Sequence, residues 1–198
     1  MFKEIIRLIY WFKFFLITGY LTKSKSITEI GAGESQRIQK VLKIMSFHGN
    51  YSSVDLSSHH PPIIYSSFKT NFYNQDFFKF SKKCDLLIFD HSIDDILAAM
   101  FPGNNKNYSK VMDNLKKFNY QDHQFIKKIN RLILHTKKLI KPHGRIIISH
   151  YLTKYDEPRG TVKIMQEFLP QLSSIAKKIG LEVEYYSTRF LVLKKLGF

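Results

Sequence analysis

Cysteine is nearly absent from this chain: Cys84 is the only one in 198 residues. A lone thiol excludes an internal disulfide and a cysteine-rich zinc site, and it fits a reducing, cytoplasmic setting. Acidic residues are scarce too, 16 against 31 lysines and arginines, which leaves a formal charge of +15. That imbalance favours association with nucleic acid, anionic lipid or an acidic substrate, and it says nothing about fold. Long apolar runs are also missing. The cleanest stretch, Phe14 to Tyr20, is far too short to cross a bilayer, and no small-residue cleavage site follows it. Neither a transmembrane segment nor a signal peptide is expected, and the chain shows no internal repeat. Hydrophobic residues nevertheless make up 44%, enough to exclude global disorder and to build one domain with a real core.

What is present reads as alternating strands and helices. Within residues 1–20, Ile5, Leu8, Ile9, Phe12, Phe15 and Leu16 recur at helical spacing and predict one apolar face. That face is expected either to pack onto the domain or to contact a membrane surface peripherally. Thr22 to Ser26 reads as a linker. Strands are predicted at Ser26–Ile30, Tyr51–Leu56, within Phe68–Tyr73, at Cys84–Asp90 and at Arg145–Ser149. Helices are predicted at Ser35–Phe47, Ile93–Met100, Phe125–Ile140 and Thr161–Ile179, with Pro142-His143-Gly144 stopping the third. Pro61-Pro62 marks the loop after the second strand. Leu181–Tyr186 and Phe190–Lys194 are separated only by Ser187-Thr188-Arg189, which permits a hairpin and forbids a helical crossover. The expected fold is α/β: a doubly wound, mostly parallel seven-stranded sheet with a C-terminal antiparallel hairpin, plus an N-terminal helix. Residues 1–24 form the helix and linker, and 25–198 a Rossmann-like domain with an insertion at about 101–124.

The most specific stretch is Glu29-Ile30-Gly31-Ala32-Gly33-Glu34-Ser35, with Asp55 following 22 residues after Gly33. A strand feeding a glycine turn and then a helix, with an acid closing the next strand, is how doubly wound sheets hold a nucleoside-bearing cofactor.

These residues resemble the class I S-adenosylmethionine-dependent methyltransferases, and the pattern extends from Ile27 to the C-terminus. Glu29 to Gly33 resembles that family's first motif, with Ser35 standing where the third glycine would be. The resemblance implies S-adenosylmethionine as cofactor. It places Glu29, Gly31, Ala32 and Gly33 at the methionine end, and Asp55, with Leu56 beside it, at the ribose. Asp76, in Asn74-Gln75-Asp76, would reach the adenine amino group. Leu139-Ile140-Lys141-Pro142-His143-Gly144-Arg145 is similar to the family's turn before the fifth strand. That turn and the closing hairpin separate this pattern from a nicotinamide enzyme.

Acceptor chemistry in the family usually follows the fourth strand, here Asp90-His91-Ser92-Ile93-Asp94-Asp95. The Asp-His pair resembles catechol-type O-methyltransferases. Yet Ile93 stands where those enzymes carry a lysine, and Ser149-His150 where they carry an Asp-Asn metal pair, so no metal is expected. No Asn-Pro-Pro-Tyr or Pro-Cys sequence is present, which sets aside amino methylation of adenine and cytosine C5 attack. The candidates for a general base are His91, Asp90, His150 and Asp94, with His91 and Asp90 also placed beside the cofactor. Tyr108, Phe118, Tyr120 and His123 are candidates for an acceptor lid. Three readings stay open. One is an enzyme methylating an O or N atom of a small-molecule acceptor, in the cytoplasm. Another is an RNA methyltransferase, with Lys127, Lys128, Arg131, Lys137, Lys138 and Lys141 following a phosphate backbone. The last is a non-catalytic cofactor-binding or membrane-peripheral protein of the same fold.

Overall fold

The run Cys84-Asp85-Leu86-Leu87-Ile88-Phe89-Asp90 has no polar face to give to water, so it belongs at the centre of a sheet covered on both sides. A computed structural model, described here for residues 2–33, 36–56, 63, 65–100, 122–152 and 160–197, places it there. The strands are β1 (Ser26–Ile30), β2 (Asn50–Asp55), β3 (Lys69–Asn74), β4 (Cys84–Asp90), β5 (Ile140–Ser149), β6 (Leu181–Tyr186) and β7 (Phe190–Lys195). They form one seven-stranded sheet in the order β3-β2-β1-β4-β5-β7-β6. β1 to β5 are parallel, and β7 runs antiparallel between β5 and β6. The order reverses between β1 and β4, and open α/β sheets bind ligands outside the carboxyl ends of strands at such a reversal.

Alternation along the strands splits the core in two. Leu86 and Ile88 face one way with Ile27, Tyr51, Ile147 and Val192. They are covered by α1 (Phe2–Thr18) and α2 (Arg37–Ile44). Leu87 and Phe89 face the other way with Ile146, Ile148 and Leu193. There they meet α3 (Ile93–Ala99), α4 (His123–Leu139) and α5 (Thr161–Lys178).

Three sequence expectations need correction. The fifth strand begins at Ile140, directly after α4, rather than at Arg145. Cys84 pairs with Ile140 and Leu86 with Arg145, so residues 141–144 bulge out of the ladder between those two pairs. His143 there takes a left-handed φ of 61°, and Pro142 sits where no ladder hydrogen bond is asked of its nitrogen. The helix α4 starts at His123, within the segment read as an insertion, because the Asp122 side chain caps it by accepting from the Gln124 N–H at 2.7 Å.

The inward face of α1 is the third correction. Trp11, Phe14 and Phe15 are buried, with Leu8 and Phe12 packed at the edge, whereas Ile5, Ile9 and Leu16 are exposed. The helix is apolar nearly all round, so period alone does not choose its face. The indole N–H decides it, because turning Trp11 inward gives that donor a carboxylate: Nε1 donates to Asp90 Oδ1 at 2.9 Å. No described helix is long and apolar enough to cross a membrane.

Candidate functional site

The turn after β1 and the ends of β2 and β3 are tied together by short hydrogen bonds. Gly31 N–H donates to Val54 O (2.8 Å), and Gly33 N–H donates to the Asp55 carboxylate (3.1 Å). The Asn74 amide donates to Leu56 O (3.0 Å), and Gln75 N–H to Asp55 O (3.1 Å). Both glycines have left-handed φ values, 68° at Gly31 and 55° at Gly33. A Cβ at Gly31 would lie 2.8 Å from the Ser92 Cβ, whereas one at Gly33 would enter open space. Ser92 Oγ, in turn, donates to Ile30 O and holds the start of α3 against β1.

These segments border a cavity of about 540 Å³ at the carboxyl edge of the sheet. Gly31, Gly33, Asp55, Leu56 and Asp76 all line it, so five of the sequence-selected residues meet in one place. Asp76 also caps the short 3-10 turn Phe77–Lys79 by accepting from Phe78 N–H at 2.6 Å. Leu56 is largely exposed and presents an apolar side chain to the opening. Ala32 is nearly buried and does not line the cavity. Arg131 was read from sequence as one of the phosphate-tracking basic residues. It is exposed and borders the cavity, with its guanidinium 4.7 Å above the Phe78 ring.

Other members of that basic set are engaged locally. Lys128 donates to Met100 O, Lys137 to Ile179 O, and Lys141 pairs with Asp85 at 3.1 Å.

Asp90, His91 and His150 stand apart from the cavity lining. The Asp90 side chain points to the α1 face of the sheet, in a buried network. Its Oδ1 accepts from Trp11 Nε1 and from Ser149 Oγ (2.7 Å), and its Oδ2 pairs with Arg37. Burial opposes the charge, but Arg37 and these donors hold the carboxyl below its ordinary range. Arg37 continues to Glu4 on α1 at 2.8 Å. This arginine was not singled out from the sequence, although a signal exists. It is a charged residue on the same helical row as buried Val41, and such a position calls for a buried partner.

His91 has φ 56°, stacks on Tyr151 with ring centroids 3.8 Å apart, and brings Nε2 to 3.7 Å from Asp90 Oδ1. His150 is buried between β5 and the hairpin, parallel to Tyr186, and desolvation lowers its pKa to about 4. Asp94 is buried in the first turn of α3.

Glu29 is fully buried on the α2 face, where it accepts from the Tyr51 hydroxyl. Its other oxygen, Oε1, has no hydrogen-bond partner. Burial, aided by the nearby Asp90 charge, raises its pKa to about 8. Two buried carboxyls thus share one arginine, and the direct partner of Arg37 keeps the charge. Among the described residues no group of three or more His, Cys, Asp or Glu is placed to hold a metal.

Ser35, the Ser57–Pro62 loop and the lid candidates Tyr108, Phe118 and Tyr120 lie outside the described residues.

A seven-stranded sheet of this order, with a glycine turn and acid-lined cavity at its switch point, has matches among solved structures. A methyltransferase from Methanosarcina mazei superposes with a TM-score of 0.54 at 12% identity, covering 92% of this chain and 98% of that one. Human N-acetylserotonin methyltransferase, solved with S-adenosylmethionine, gives 0.53 at 15% identity over 98% of this chain and 56% of its own. Magnesium protoporphyrin IX methyltransferase from Synechocystis, also with bound S-adenosylmethionine, gives 0.53 at 12% over 95% and 77%. The fold is that of the S-adenosylmethionine-dependent methyltransferases. The chain spans about half the length of several matches, among them an O-methyltransferase family protein from Burkholderia thailandensis, of which it covers 53%. No protein-family model matches the sequence, and no curated protein matches it in sequence.

Proposed function

We propose that this chain is an S-adenosylmethionine-dependent methyltransferase acting on an oxygen or nitrogen atom of a small-molecule acceptor. The observation that carries the reading is the shared cavity of Gly31, Gly33, Asp55, Leu56 and Asp76 at the switch point of the sheet. Its donor set suits the cofactor. The Asp55 carboxylate is of the kind that accepts from both ribose hydroxyls, and Gly33 leaves open space where a side chain would otherwise stand. Asp76, whose other oxygen caps the 3-10 turn, has an acceptor for the adenine amino group, between the apolar surfaces of Leu56 and Phe78. Gly31 and Gly33 bring backbone toward the methionine end, whereas Ala32 and Glu29 stand outside the cavity lining.

When bound, S-adenosylmethionine supplies an electrophilic methyl group on a sulfonium. This chain's part is to align the acceptor and, for an O–H or N–H acceptor, to take its proton. His91 is the base in this reading. Asp90 is engaged on both oxygens, and His150 is enclosed by the hairpin. His91 follows the carboxyl end of β4, one residue before cavity-lining Ser92, with its Nε2 3.7 Å from Asp90 Oδ1. Asp90 is then a positioning residue.

Calorimetric titration with S-adenosylmethionine and S-adenosylhomocysteine tests the cofactor site. Saturable binding is expected, weakened about ten- to a hundredfold in Asp55→Ala by the loss of charge-assisted hydrogen bonds. Folded native protein that binds neither compound overturns the reading.

A further inference from the structure

The outward face of α1 has no counterpart in the cofactor chemistry. Opposite its buried Trp11, Phe14 and Phe15, the helix exposes Phe2 (70%), Ile5 (51%), Ile9 (41%), Leu16 (64%) and Ile17 (80%). At helical pitch these side chains form a stripe about 22 Å long. Scattered apolar residues are ordinary on a protein surface, but five exposed on one side of a single helix mark a contact surface.

The charges around the stripe are mostly basic. Lys13 is exposed within the stripe, between Ile9 and Leu16, Lys3 is exposed beside it, and Lys23 and Lys25 follow just beyond the helix. The one acid of α1, Glu4, is half exposed but paired with Arg37 at 2.8 Å and Arg7 at 3.3 Å, and Arg7 lies over the Tyr151 ring at 5.2 Å. The outer surface of the helix therefore offers hydrocarbon and ammonium groups. The whole chain, these lysines included, carries a formal charge of +15.

We propose that this face seats the protein on an anionic phospholipid surface, with the apolar stripe in the acyl boundary and the lysines among the headgroups. Charge complementarity selects this occupant over a second copy of the chain. Pairing two copies through α1 would bring together two bodies of +15 and their flanking lysines. The first turns of α1 lie at the carboxyl edge of the sheet, where Glu4 and Trp11 meet Arg37 and Asp90. A membrane on α1 would thus border the edge at which the cavity opens. The proposal stands independently of the methyltransferase reading.

The test is flotation of the full-length protein with vesicles of phosphatidylcholine alone and of phosphatidylcholine with phosphatidylglycerol. Native protein is expected to float with the anionic vesicles, and less so at high salt. The double variant Ile9→Glu/Leu16→Glu changes only exposed positions. It is expected to keep the native circular dichroism and melting transition while partitioning falls about tenfold or more. Removing residues 1–20 is a poorer test, since it strips Trp11, Phe14 and Phe15 from the core. Native protein that does not float with anionic vesicles overturns the proposal. So does a folded double variant that floats as well as native, because charge alone would then account for adsorption. A concentration-dependent dimer that the variant abolishes, without vesicle binding by either protein, assigns the stripe to a second copy and overturns it too.

Discussion

The indole nitrogen of Trp11 lies 2.9 Å from Asp90 Oδ1, joining the N-terminal helix to the carboxyl end of a central strand. The ring is also held edge-on to Phe190 of β7, at 4.9 Å between centroids. Trp11→Phe keeps most of the apolar contact and deletes the donor. It is expected to destabilise the fold by about 1.5–3 kcal/mol, the range for a hydrogen bond to a charged group. Chemical denaturation of the two proteins measures it.

Arg37→Met should cost more, about 3–5 kcal/mol, because it leaves the Asp90 charge buried without its cation. Adding Asp90→Asn removes that charge and should recover much of the loss. The coupling in this double-mutant cycle distinguishes a buried ion pair from two independent packing defects.

Two glycines of one turn should behave differently. Gly31→Ala meets both the left-handed φ and the Ser92 side chain at 2.8 Å, so it is expected to lower stability by more than the strain of about 1–2 kcal/mol alone. Gly33→Ala meets only the strain, yet its methyl group enters the cavity border. It should stay folded and bind S-adenosylhomocysteine more weakly. Melting curves and calorimetry read the two effects separately.

The third site is Glu29. Its raised pKa means that the folded state keeps a proton the unfolded chain releases near pH 4.5. The stabilisation is complete below that pH, falls as pH rises toward about 8, and changes little above. Glu29→Gln retains an acceptor for the Tyr51 hydroxyl without the titration. It should flatten this stretch of the stability profile and raise Tm at pH 8 relative to native protein. An unchanged profile would mean that Glu29 is ionised in the folded state.

His91→Asn tolerates the left-handed backbone and removes the proposed base. Once an acceptor is known, turnover should fall about a hundredfold or more while cofactor affinity stays near native. Equal losses in both would make His91 a structural residue.

Much of this architecture could be read from local pattern. β4 and β6 were legible to the residue, one as a continuous apolar run and the other because only three residues separate it from its hairpin partner. That Gly31, Gly33, Asp55 and Asp76 would border one cavity was legible because a turn that approaches a ligand needs particular residue types at particular spacing. The start of β5 was not, because a proline and a glycine signal a stop unless one knows of the bulge beside Cys84. The orientation of α1 was illegible for another reason. A helix with apolar residues on nearly every side gives more than one candidate face, and the inward one is set by Asp90, 79 residues away. Arg131, exposed on α4, was grouped with the phosphate-tracking lysines because nothing local shows that Phe78 will lie beneath it.

The position of Cys84 gives this fold a built-in reporter. The thiol is 1% exposed at the start of the central strand, beside Leu139 O, and burial pushes its pKa up to about 12. A sulfur so placed meets an alkylating reagent only when the sheet opens, and the chain carries no other thiol to confuse the count. The rate of its modification is therefore a clock for excursions of the core. It would tick more slowly when a ligand in the cavity holds the sheet shut.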